Sequence, residues 1–332
     1  MTKAISVHVG INQVDPAAFN VAPLRGCEND ARAMFELAAD FSANLVRREL
    51  FLGPEATFRR VDTAIRAAAA ELDAGDLFLF TFAGHGSQTP DTEFDDDDDF
   101  SDEELVLFDR VLIDDYLRRA LWSRFRPGVR IVGVNDSCHS GSGLFAATML
   151  SEPMTPAGLS PSVDGELPAP EPAVAGAGGC APGGRRPLPT DVSGRHSLPP
   201  RVENEEGPAV VTLGSRRARQ LTRAARRSHV EMFAAEYESL REEIPTGEEA
   251  RVRADLLTLS ACGDGEETLD GDEHGVFTQA LLDVLRNAPE NYDALRTAVN
   301  ELYVQRGLLS QTSVILPERD VPAFRTHRPF SV

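Results

Sequence analysis

Two short apolar runs constrain this chain most: Asp76–Ala83 (DLFLFTFA) and Val129–Asn135 (VRIVGVN). Each is rich in aromatic or β-branched residues and too short for a buried helix, so each reads as a strand covered on both faces. Five further segments read as strands or helices on the same logic. Ala4–Ile11 and Leu45–Leu52 are strand-like, and Glu28–Ala39, Thr57–Leu72 and Asp114–Phe125 carry helical spacing. Strand and helix alternate, which predicts an α/β fold with a mainly parallel sheet and helices on both faces.

The alternation stops at Ser151. Residues 151–208 hold 12 of the 22 prolines and few aliphatics, the composition of a flexible insert. Ser215–His229 (SRRARQLTRAARRSH) follows, with six arginines and no acid, running into a predicted helix through Glu243. Regular patterning resumes with a strand at Asp255–Ala261, helices near Val276–Arg286 and Tyr292–Gln305, and a last strand at Thr312–Leu316. The 332 residues therefore divide into a first core region (1–150), a Pro/Gly-rich then Arg-rich insert (151–250), and a second core region (251–332) that completes the sheet.

The formal net charge is −20, and residues 91–115 alone carry 13 acids against one arginine. A surface this acidic repels nucleic-acid phosphate and anionic membranes, so neither is an expected partner. Four widely spaced cysteines with no CxxC pair make neither a disulfide scaffold nor a zinc site. No apolar run reaches about 18 residues, and the first residues lack a charged leader followed by an apolar stretch. The expectation is a soluble cytoplasmic protein without an organic cofactor.

The chemistry gathers at two strand ends. DLFLFTFA runs into Gly84-His85-Gly86-Ser87, and VRIVGVN runs into Asp136-Ser137-Cys138-His139-Ser140-Gly141. Ligands of open parallel sheets bind at the carboxyl ends of strands, so neighbouring strands bring His85 and Cys138 side by side. A thiol beside an imidazole is a nucleophile–base pair, with Cys138 attacking and His85 exchanging the proton. The loop amides at Gly86 and Cys138 are candidates for the oxyanion hole.

With AGHGSQ, DSCHSGS, LRGCENDARAM, the acidic run through LVLFDRVLIDD, and LLTLSACGDGEET on the page, the sequence resembles the metacaspases and bacterial caspase-like (clan CD, C14-type) peptidases over residues 4–150 and 255–316. The resemblance implies a caspase-hemoglobinase fold, with a mainly parallel six-stranded sheet, His85 as base and Cys138 as nucleophile.

Substrate preference follows two lines. Physically, Asp136 lies two residues before the nucleophile and Asp30 just after the first strand, on the same sheet edge. Two carboxylates buried there need a cation, and an arginine or lysine side chain supplies one. The resemblance implies cleavage of protein substrates after Arg or Lys, in a pocket using the positions of Cys27, Asp30 and Asp136. Where many metacaspases have a serine two residues before the histidine, this chain has Ala83.

Abundant carboxylate oxygens can hold Ca²⁺ if the acidic loop folds around it. The resemblance implies Ca²⁺ on Asp102, Asp114 and Asp115, with Phe145 where a further aspartate is typical. The insert offers candidate cleavage sites at Arg186, Arg217, Arg219 and Arg227. Cutting there, by the enzyme itself or by an upstream protease, would free the pocket. Alternatively, the basic segment latches onto the acidic loop. The rival reading is a non-catalytic caspase-like scaffold, and Cys262 is not expected to be catalytic.

Overall fold

The computed structural model describes residues 2–41, 44–90, 101–137, 218–261, 268–308, 313–317 and 326–331. These belong to one unit built from residues 1–149 and 209–332. A six-stranded sheet runs through it in the order β2 (Leu45–Leu52), β1 (Ala4–Gly10), β3 (Leu77–Ala83), β7 (Arg130–Asp136), β8 (Asp255–Ser260) and β9 (Val314–Pro317). All neighbours are parallel except β9, which runs antiparallel to β8.

The three strands β1, β3 and β7 are buried at every residue, in keeping with their mostly apolar sequences. On one face lie α2 (Phe58–Glu71) and a π-helical turn, Tyr116–Leu121, around Trp122. The other face is covered by α5 (Val276–Leu285) and α6 (Tyr292–Gln305), with α1 (Cys27–Phe41) adding Met34 and Ala38. The helix read at Asp114–Phe125 is thus a π turn followed by a 3₁₀ turn at Trp122–Arg124. A Cβ on Gly10 would sit 2.5 Å from the Cys27 carbonyl oxygen, so glycine lets α1 begin against the end of β1.

Part of the acidic run is not loop. β4 (Gly86–Pro90), β5 (Ser101–Val106) and β6 (Val111–Ile113) form a small antiparallel sheet directly after His85. Leu105, Val106, Val111 and Leu112 bury its inner face in the core. The Arg-rich segment supplies α3 (Arg223–Met232) and α4 (Ala234–Glu242). Among the described residues, no helix is long and apolar enough to cross a membrane.

Candidate active site

The sheet sets the site. Ala83 at the end of β3 pairs with Asp136 at the end of β7. His85 and Cys138 each lie two residues beyond that pair in sequence; Cys138 itself is outside the described residues. His85 is 3% exposed, and its Nε2 lies 3.1 Å from the Ala22 carbonyl oxygen. A carbonyl only accepts, so Nε2 carries the proton and Nδ1 holds the lone pair. Nδ1 has no hydrogen-bond partner among the described residues. Burial lowers the His85 pKa to about 4, and the main-chain groups of Ala22 and Gln220 offset only part of that. The imidazole is therefore neutral near pH 7.

Beside it is a buried pocket of three carboxylates: Asp30 and Asp136 at 1% exposure and Asp270 at 4%. Asp136 Oδ2 accepts from the Thr278 amide (3.1 Å) and hydroxyl (2.7 Å), and Thr268 donates to its Oδ1 at 3.3 Å. Asp30, in the first turn of α1, accepts from the Gly275 amide at 3.1 Å, and its Oδ1 lies 2.8 Å from His274 Nδ1. That hydrogen bond raises the His274 pKa. Asp270 accepts from the amides of Arg25 (2.7 Å) and Gly26 (3.1 Å), pinning the turn that leads into α1. Buried Cys27 lines the same region, and burial pushes its thiol pKa well up.

The chain fills this pocket itself. Arg219 is 0% exposed. Its Nη1 reaches Asp136 Oδ2 at 3.0 Å and the Asp136 carbonyl at 3.1 Å. Its Nη2 reaches Asp30 Oδ2 at 2.5 Å and Asp270 Oδ1 at 3.1 Å. Burial alone would lower the Arg219 pKa, but Asp136, Cys27, Asp30 and Asp270 together hold it well above its ordinary value. For Asp136, burial pushes the carboxyl pKa up by more than the guanidinium pulls it down, with Asp30's charge adding to the rise. A Cβ on Gly275 would come within 2.6 Å of the Arg219 guanidinium carbon, so only glycine leaves room for the side chain.

The main chain of Arg219 is held as firmly. The Gly86 amide donates to the Arg219 carbonyl at 2.8 Å, and the Arg219 amide donates to the Thr268 carbonyl at 3.2 Å. Ala218 pairs antiparallel with Leu269, and Gly86 pairs parallel with Gln220. The segment thus lies at the strand ends, bridged on either side of Arg219, with its arginine in the carboxylate pocket and its carbonyl on a glycine amide.

Of the residues singled out in the sequence, His85, Gly86, Asp30, Asp136, Cys27 and Arg219 come together here. Arg227 is exposed on α3, whereas Arg186 and Arg217 lie outside the described residues. Three contributors were not singled out: Asp270, Thr278 and His274. Ala22 acts through its main chain, to which residue type is no guide. Among the acidic-loop candidates, Asp115 pairs with Arg119 at 3.2 Å and Asp114 Oδ1 accepts from the Asp115 amide at 2.7 Å. The Asp102 side chain is outside the described residues. No three His, Cys, Asp or Glu side chains among the described residues converge as a metal site.

A parallel sheet carrying a histidine and a cation-binding acidic pocket at its strand ends defines a caspase-type α/β domain. The caspase-domain family model (peptidase C14) matches residues 5–327, and the chain belongs to that cysteine-peptidase family. It is 36% identical to Metacaspase-4 of Arabidopsis thaliana over 148 residues, which is 42% of this chain and 34% of the relative. It is 31% identical to Metacaspase-1 of Emericella nidulans over 131 residues, 36% of this chain and 32% of the relative. The matched stretches thus span about a third of each relative's length. A crystal structure of protein GSU0716 from Geobacter sulfurreducens matches with a TM-score of 0.68 and 27% identity, covering 99% of both chains.

Proposed function

We propose that the protein is a cysteine endopeptidase that cleaves proteins after arginine or lysine, and that the uncut chain holds its own Arg219–Gln220 bond in the site as a resident first substrate. One observation carries this reading: Arg219 sits in a carboxylate pocket with its carbonyl oxygen 2.8 Å from the Gly86 amide. A cation with its adjoining carbonyl on a fixed N–H donor is the pose required of a residue before a scissile bond.

In this mechanism, His85 Nδ1 takes the Cys138 thiol proton while the Ala22 carbonyl fixes the ring through Nε2–H. The thiolate adds to the arginyl carbonyl, whose oxygen gathers charge at the Gly86 N–H. The peptide C–N bond then breaks, the His85 proton passes to the leaving amine, and water hydrolyses the thioester. The pocket rewards a planar guanidinium, whose two terminal nitrogens are shared among three carboxylates.

Access to other substrates then requires the Arg219 segment to withdraw, through a cut by the enzyme or by an upstream protease. Ca²⁺ on Asp102, Asp114 and Asp115 belongs to the same reading: β5 and β6 pair Glu104 with Ile113, which places these residues at one end of the small sheet. A thiol nucleophile is suited to a reducing cytoplasm.

The test is hydrolysis of short fluorogenic peptides ending in Arg, Lys or Asp, by wild type and Cys138→Ala, with Ca²⁺ or chelator, alongside mass analysis of the chain. Expected are turnover of Arg and Lys peptides, none by Cys138→Ala, and a fragment beginning at Gln220. An intact, inert wild type under all conditions favours the scaffold reading instead.

A further inference from the structure

The two sides of the Arg219–Gln220 bond are held very differently. Before it, the described contacts are those of the Arg219 side chain and main chain and the Ala218–Leu269 bridge. After it, the chain is anchored repeatedly. The Leu221 amide donates to the Gly86 carbonyl at 2.7 Å, and the Leu221 side chain is 2% exposed within the main core. Thr222 caps α3, and Arg226 binds the buried Glu104 carboxylate through Nε at 2.7 Å and through Nη2. His229 is fully buried, 3.1 Å from the Ala18 carbonyl and 2.8 Å from the Tyr237 hydroxyl, and stacked on Phe19.

Cutting the bond changes the acyl side most. Its new carboxylate would form at the Gly86 amide, one arginine side chain away from Asp30, Asp136 and Asp270, and like charges repel. None of the anchors on the amine side is touched by the cut. The Gln220 nitrogen, one residue from the Leu221–Gly86 hydrogen bond, needs to shift only from bonding to van der Waals distance.

Resting on the reading above, we propose that the Gln220 amine produced by the activating cut stays docked beside Gly86 and serves as an acyl acceptor, so that the cut enzyme joins arginyl acyl groups to its own new N-terminus. In the step, an acyl group ending in Arg is held as a thioester on Cys138. The neutral Gln220 amine attacks the thioester carbonyl, the C–S bond breaks as the C–N bond forms, and the amine proton returns through His85 to the thiolate. No oxidant or cofactor is consumed. Water competes, but well-oriented intramolecular groups reach effective concentrations of up to roughly 10⁵ M or more, above that of water itself. An α-amine loses its proton near about pH 8, so capture rises with pH through that region.

The test uses the self-cut full chain and an N-blocked peptide ending in an arginyl fluorophore amide as acyl donor, at about pH 8.5. Intact mass then follows the fragment 220–332, and Gln220→Ser is run beside wild type to remove cyclisation of an N-terminal glutamine. The expected result is a 220–332 fragment carrying the donor acyl group at its N-terminus. Arg226→Gln takes the charge from both hydrogen bonds to Glu104 and should lower that yield at least about tenfold, with donor hydrolysis unchanged. If Arg226→Gln does not fold, Thr222→Ala loosens the same strap. Donor hydrolysed while both fragments keep their masses overturns this inference and leaves the proteolytic reading standing. No hydrolysis at all, or a cut elsewhere, overturns both.

Discussion

Removing the Arg219 guanidinium should cost the uncut protein about 3 kcal/mol. In Arg219→Ala, three carboxylates at 1–4% exposure lose their shared cation. Stranding a buried charge ordinarily costs about 3–5 kcal/mol. The low end is taken because residues 218–220 can then withdraw and let water reach the carboxylates. About 3 kcal/mol corresponds to a fall in Tm of roughly 6–10 °C for a domain of this size. The assay is thermal unfolding in a Cys138→Ala background, so that no cut intervenes. A second arm adds a small guanidinium compound that mimics an arginine side chain. At about a hundred times its Kd it should restore about 2.7 kcal/mol to Arg219→Ala and nothing to the parent, whose pocket is filled. A Tm change under about 1 °C, or equal stabilisation of both proteins, would refute the placement of Arg219.

Acidification should destabilise the fold through its buried imidazoles. Burial lowers His8 to about 3 and His85 to about 4, while the unfolded chain takes these protons near 6.5. The unfolded state therefore binds more protons in that window, and each histidine removes roughly 2 kcal/mol by about pH 5, read as a fall in urea midpoint. His274 has the opposite sign, because its raised pKa adds stability at low pH that is lost as pH rises, so His274→Gln should weaken the fold more at about pH 6 than at about pH 8.5. Thr278→Val deletes the 2.7 Å hydroxyl bond to Asp136 and should raise KM for arginyl peptides about five- to tenfold with kcat little changed.

The central fold was legible because β1, β3 and β7 are short, mostly apolar and β-branched or aromatic runs, the sequence of a strand covered on both faces. The small sheet was not. Ser101–Val106 opens with Ser-Asp-Glu-Glu, which reads as solvated loop, and becomes a strand because Leu105 and Val106 find the core. In the site, Asp30 and Asp136 announce themselves by lying next to strand ends. Asp270 and His274 do not, because they reach the pocket from more than 240 positions beyond Arg25 and Asp30, and no local pattern marks that approach. Arg219 was one of several arginines in a basic segment. What distinguishes it is the Gly86 amide and Gly275, both remote in sequence.

The strand order carries a last consequence. β7 ends at Asp136 and its parallel neighbour β8 begins at Asp255, so nearly 120 residues of connection separate two strands bonded side by side. Loop-closure entropy rises only slowly with length, so the length of this connection adds little cost to their pairing. Interrupted within residues 151–208, the sheet still has a complementary edge on each half: β2, β1, β3 and β7 on one side, β8 and β9 on the other. The molecule is in effect a split protein whose halves happen to be joined, and two chains ending and starting within that stretch should assemble into one sheet when produced together.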